Sequence, residues 1–232
     1  MLGISSARAV CPTRPWSGLP LSSPPARLSG NRLVVLSNDT GRLRSPNVHD
    51  SLWFAATQHR FLAAVREGTI TDSEFDRWLL QDALFVADLL TFQARLLARA
   101  PRRAHHTLAG GCAALVAELD WFDEQAAKRR IDPEQPPLPA TLAYRELLNR
   151  LDAEPYDAAI TALWVIERVY LLAWTTAASD TSPFAEFVEH WTAPEFAAYV
   201  DALGALATPE GYDALIADVL SLEVAFWDMA LE

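Results

Sequence analysis

Three carboxylates stand where a helix facing a core should be apolar. Phe75, Trp78, Asp82, Phe85, Leu89 and Phe92 follow one another in steps of three and four, which places Asp82 inside an aromatic stripe. Trp164, Glu167, Leu171 and Trp174 repeat the pattern, with Glu167 between two tryptophans. Ile216, Leu220, Glu223, Trp227 and Ala230 form a third such face, with Phe226 beside it. Tyr144 shares a face with Leu147, Leu148 and Leu151 and can carry its hydroxyl inward. An ionised carboxylate in such a setting costs several kcal/mol unless it is paired or hydrogen-bonded. One reading is structural: each acid is satisfied by an arginine, a tyrosine or a backbone group, and Arg77 and Arg168 are the nearest basic residues. Their register, however, turns both away from the apolar stripes. Three acids on three apolar faces instead describe a polar pocket in a helical core, walled by aromatic rings. An acid so placed holds its proton to higher pH, which suits it to general acid–base chemistry.

Long helices are needed to present these faces, and the chain supplies them from Val48 onward. Apolar positions there keep a period near 3.6, and no segment alternates with period two for long enough to be a strand. The pattern predicts helices over Asp50–Glu67, ending at Gly68, and from a Thr71 or Asp72 cap to about Ala100, before Pro101. Further helices are expected over Ala104–Arg130, Ala140–Leu151 and from Pro155 to about Ala178. A sixth falls into two pieces, Phe184–His190 and Pro194–Leu206. A seventh starts at Pro209-Glu210 with Thr208 as its cap. Seven helices with short connections amount to an all-α, single-domain antiparallel bundle over residues 48–232. Residues 1–47 are rich in Pro, Ser, Gly and Arg, a composition that buries too little to offset ordering entropy, and are expected to be a disordered leader.

Composition narrows the function classes. The net charge of −11 is unevenly spread: up to residue 48 there are six arginines and one acid, Asp39, and the remainder carries thirteen basic and twenty-nine acidic residues. A body that acidic repels phosphate backbones and anionic membrane surfaces, so neither nucleic acid nor membrane is expected as a partner. No stretch approaches the ~18 uninterrupted apolar residues of a membrane span. Two cysteines, Cys11 and Cys112, make no disulfide framework or zinc site and suit a reducing, cytoplasmic setting.

The strings around these residues resemble the TenA family. His59-Arg60-Phe61-Leu62 followed by Glu67-Gly68-Thr69-Ile70 resembles the family's first helix and its Gly-Thr turn. Phe75 through Gln81-Asp82, and Tyr144 within Leu142-Ala143-Tyr144-Arg145, are similar to the next two segments. Trp164-Val165-Ile166-Glu167-Arg168-Val169-Tyr170 looks like the branch in which glutamate occupies the place of a nucleophilic cysteine. His190-Trp191-Thr192-Ala193-Pro194-Glu195-Phe196 and Leu222 through Ala230 are the most specific matches. The resemblance implies the haem-oxygenase-like helical fold and an aminopyrimidine aminohydrolase of thiamin salvage with no metal or cofactor. Its substrate would be 4-amino-5-aminomethyl-2-methylpyrimidine or the N-formyl form, its product the hydroxymethylpyrimidine, and its assembly a homo-oligomer. Asp82 would then bind the amino edge of the ring by charge-assisted hydrogen bonds, and Glu223 would hold or protonate the ring nitrogen. Tyr144 would reach the same ring, and Phe85 and Trp191 would stack on it. Glu167 departs from the cysteine branch, since a carboxylate does not imitate a thiolate nucleophile. It would act as a base for water or as an acid toward the departing amine.

Other readings compete. A protein that only sequesters a pyrimidine or thiamin would present the same acids. A haem enzyme would use His59 as an axial ligand, and a di-iron enzyme would need Glu-x-x-His pairs, of which the sequence has none. His105, His106 and His190 fall at a helix start and a helix break, where solvated polar residues are expected. If Glu167 is a structural acid, the next candidate base is Glu118, which shares a face with Leu115 and Phe122.

Overall fold

The computed structural model describes residues 48–232, so the leader expected over residues 1–47 lies outside the described residues. Within them the chain is helical: α1 (Val48–Thr57), α2 (Arg60–Glu67), α3 (Asp72–Arg99), α4 (His105–Arg129), α5 (Pro139–Leu151), α6 (Tyr156–Thr176), α7 (Ala185–Trp191), α8 (Pro194–Gly204) and α9 (Asp213–Ala230), with a 3-10 turn at Arg102–Ala104. Local chemistry accounts for most boundaries. Thr71 and Glu74 form a reciprocal capping box at the start of α3, and Gly68, in the left-handed region at φ 68°, closes α2. Prolines open α5 and α8 at their first turns.

Two boundaries differ from the sequence expectation. The helix expected over Asp50–Glu67 is broken between α1 and α2. His59 is extended, and its Nδ1 accepts from the Phe61 N–H at 3.2 Å, so that it acts as an N-cap. The Thr57 carbonyl faces the Thr176 hydroxyl of α6 at 2.8 Å, which shares its one proton with the Ala173 carbonyl at 2.7 Å. The last helix begins at Asp213 rather than at Pro209-Glu210. Gly211 at φ 86° and the Tyr212 N–H to Pro209 carbonyl bond make a type II turn there, so Thr208 precedes a turn rather than a helix, with its N–H donating to Thr161 Oγ1.

The core gathers around α3 and α6. The first packs on α4, α5, α6 and α9, and the second on α1, α2, α7, α8 and α9. Although α6 is long and apolar enough to cross a membrane by length and composition, 67% of that stretch is buried inside the bundle. Phe61, Trp78, Trp174 and Trp227 form an aromatic centre, with Phe61 and Trp227 stacked at 5.3 Å between centroids. Gln81, buried beside Asp82 in sequence, pins the loop into α5: its Oε1 accepts from the Leu138 N–H at 2.9 Å and the Thr141 hydroxyl at 2.7 Å, and its Nε2 donates to the Pro136 carbonyl. That anchorage sets the start of the helix carrying Tyr144.

Candidate active site

Four helices bring acids together. Asp82 on α3, Glu118 on α4, Glu167 on α6 and Glu223 on α9 are all buried, between 1% and 5% exposed. Nearest the centre, Asp82 accepts a hydrogen bond from the Tyr170 hydroxyl at 2.9 Å. Tyr170 lies one helical turn beyond Glu167, on the same face of α6. Glu118 accepts from the Trp191 indole N–H at 2.7 Å, and its other oxygen lies 2.8 Å from His190 Nε2. Glu167 has a buried oxygen with no hydrogen-bond partner among the described residues. The Tyr144 hydroxyl faces the Glu223 carboxyl without a hydrogen bond of ordinary geometry.

Burial dominates the electrostatics. Desolvation, with Glu118 and Asp82 nearby, raises the Glu167 carboxyl to about 8. Desolvation and Glu118 push Asp82 well above the carboxylate range, against the opposing hydrogen bond from Tyr170. Glu223 rises for the same reason, with Asp82 and Glu167 adding to burial and Tyr144 opposing it. Tyr144 and Tyr170 are held protonated by burial and then by the neighbouring carboxylates.

A cavity sits among these groups. Asp82, Glu167, Phe85 and Trp191 line it, as do Glu118, Tyr170, Leu115 and Phe196. Tyr144 and Glu223 do not line it, although both interact electrostatically with Asp82 and Glu167. Phe85, which does line it, packs on Tyr144 at 4.7 Å and on Phe226 at 5.8 Å. The four polar groups thus form one charge cluster but not one open pocket. Its volume, about 30 Å³, is also far below the roughly 300–1,000 Å³ of small-ligand sites. Periodicity places side chains on a face; how closely facing rings pack is decided between helices, and here they close on one another.

The sequence reading misplaced His190 and overlooked two partnerships, Glu118 with His190 and Trp191 and Asp82 with Tyr170. His190 is not solvated at the helix break: its side chain is 9% exposed, and its ring lies flat on Trp121, with centroids 3.8 Å apart and planes at 7°. The link from Glu118 to His190 and Trp191 spans more than seventy positions and leaves no local signal. Tyr170 was findable, since it follows Glu167 by three. His59 has both ring nitrogens engaged, Nδ1 by the Phe61 N–H and Nε2 near Asp228 at 3.3 Å. Arg168 lies over the Trp164 ring, and Arg77 donates to the Ala230 carbonyl, so neither pairs with the buried acids.

Residues 47–232 match the TENA/THI-4/PQQC family. The chain belongs to that family. A protein of Glycine max named "Probable bifunctional TENA-E protein" is 32% identical over 205 residues, covering 78% of this chain and 89% of its own. Among solved structures, a TenA homologue from Pyrococcus furiosus superposes with a TM-score of 0.73 at 26% identity, over 78% of this chain and 95% of that one. A TenA family transcription regulator from Silicibacter sp. TM1040 superposes at 0.71 over 79% of this chain and 94% of that one; at 20% identity it speaks for the fold alone. The TenA neighbours share the haem-oxygenase-like helical fold, and this TenA-family chain has it too. Membership supports a role in thiamin salvage at the general level.

Proposed function

We propose that this TenA-family chain is an aminopyrimidine aminohydrolase, converting 4-amino-5-aminomethyl-2-methylpyrimidine, or its N-formyl form, to the hydroxymethylpyrimidine. The observation that carries the reading is Glu167: buried on an aromatic face, with an unpartnered oxygen and a carboxyl raised to about 8. Such a group exchanges protons near neutral pH, as a general acid or base must.

In this reading water adds its oxygen to the exocyclic methylene carbon, and the carbon–nitrogen bond breaks with its electron pair on nitrogen. Glu167 takes the proton that water loses, or supplies one to the departing amine. Asp82 accepts from the exocyclic amino group of the ring while Tyr170 holds its other side. Phe85 and Trp191 flank the ring. At about 30 Å³ the cavity is too tight for a six-membered ring, so binding requires wall side chains to shift. Glu223 and Tyr144 reach the ring nitrogen only once that wall opens. Thiamin itself should turn over poorly, because no thiolate stands at Glu167. Cys112 is on α4, half-buried, with its thiol pushed up by burial.

Formation of the hydroxymethylpyrimidine from the aminomethyl compound, followed by chromatography on purified protein, tests the proposal. Tight binding without turnover would instead make this a pyrimidine-sequestering protein.

A further inference from the structure

Glu118 has no part in the reaction as derived above, yet it enters the cavity from α4 with both oxygens engaged. Its side chain is 6% exposed. Holding a carboxylate there incurs a desolvation cost that an apolar residue of similar size would avoid. Among the described residues, His190 is the basic side chain that bonds to a carboxylate of this cluster, and Trp121 stacking holds the His190 ring in place. The Trp191 indole, a wall of the cavity, is fixed by the other Glu118 oxygen.

We propose that Glu118, clamped by His190, is a positioning residue for the hydrolysis: it fixes the Trp191 wall against which the ring stacks and sets its carboxylate across the cavity from Glu167. The inference rests on the aminohydrolase reading. Glu167 is faced by Asp82 from α3, Glu118 from α4, Tyr144 from α5, Tyr199 from α8 and Glu223 from α9, with Tyr170 on its own helix. On α1, His49 lies 3.6 Å from Asp213, and at the start of α2, His59 and Arg60 contact Asp228, so these side chains are engaged away from the cluster. After burial itself, the Glu118 carboxylate acts more strongly on Glu167 than Asp82 does. A buried negative neighbour disfavours a second negative charge, by about 1 pH unit or more when the groups are close.

Glu118→Gln separates the two roles. The amide oxygen can still accept from the Trp191 indole, while the charge is gone. In full-length protein carrying ¹³C-labelled glutamate, the Glu167 carboxyl signal, assigned by its loss in Glu167→Gln, should titrate about 1 pH unit lower in Glu118→Gln than in the wild type. The limb of the kcat–pH profile near pH 8 should move with it, and KM for the aminopyrimidine should stay within about twofold. Glu118→Ala, which also frees Trp191, should raise KM about tenfold or more. An unmoved Glu167 titration overturns the charge role, and a KM raised equally by Gln and Ala overturns the wall role. If the wild type turns over no aminopyrimidine, the aminohydrolase reading falls, and the carboxyl titration still decides what Glu118 does to Glu167.

Discussion

Glu167 and Asp82 occupy the same cavity but would fail in different ways. Glu167→Gln keeps the shape and hydrogen-bonding capacity of the side chain but cannot ionise. It should lower kcat by about 10²–10⁴, the usual worth of general acid–base catalysis, with little change in KM. Near-normal kcat would make Glu167 a structural acid. Asp82→Asn leaves a single acceptor oxygen to serve both Tyr170 and the ring amino group, and should weaken aminopyrimidine binding by roughly 1–3 kcal/mol, read in kcat/KM. The wild-type pH–rate profile assigns the direction of proton transfer. A rate that rises through about pH 8 makes Glu167 the base, and one that falls there makes it the acid.

At the scale of elements, two polar anchors hold the helices that carry the site. Gln81 ties α3 to the loop before α5 through three hydrogen bonds. Gln81→Ala leaves those partners unsatisfied and should cost about 2–3 kcal/mol in chemical denaturation, with the Tyr144 helix loosened first. Gly111 on α4 lies where any Cβ would strike the Gln93 amide and the Tyr199 hydroxyl, which bond to each other at 3.1 Å. Gly111→Ala should therefore destabilise by about 1–3 kcal/mol through overpacking, seen as a lowered Tm. A Tm equal to that of the wild type would show that the Tyr199 side chain yields at no cost.

For the molecule as a whole, the cluster makes stability depend on pH in an unusual sense. Glu167 binds its proton more tightly folded than unfolded, where its value is near 4.5, and Asp82 and Glu223 shift in the same direction. In that window the native state holds protons that the unfolded chain has released. The stability these groups contribute is complete below the unfolded carboxylate range and is lost as pH rises toward about 8. Denaturant midpoints should thus fall between pH 5 and pH 8. Glu167→Gln, which has no proton to lose, should flatten that fall by an amount on the order of a few kcal/mol. A wild-type midpoint that stays flat over this range would show that the acids ionise in the folded state as they do in the unfolded chain.

The sequence alone determined the helical fold and placed Asp82, Glu167 and Glu223 on inward faces, because periodicity fixes which side of a helix a residue occupies. It also supplied the strings that mark the family. It did not show the break at His59, where the His59 ring caps α2 and the Thr57 carbonyl meets Thr176 of a distant helix. Nor did it reveal that Glu118 grips His190 and Trp191, or that Phe85 and Trp191 belong to a cavity of only about 30 Å³ while Glu223 stays off its lining. Those outcomes depend on how far apart the helices stand and how their side chains interdigitate. Such distances are set by packing among residues scores of positions apart, so only the tertiary structure decides them.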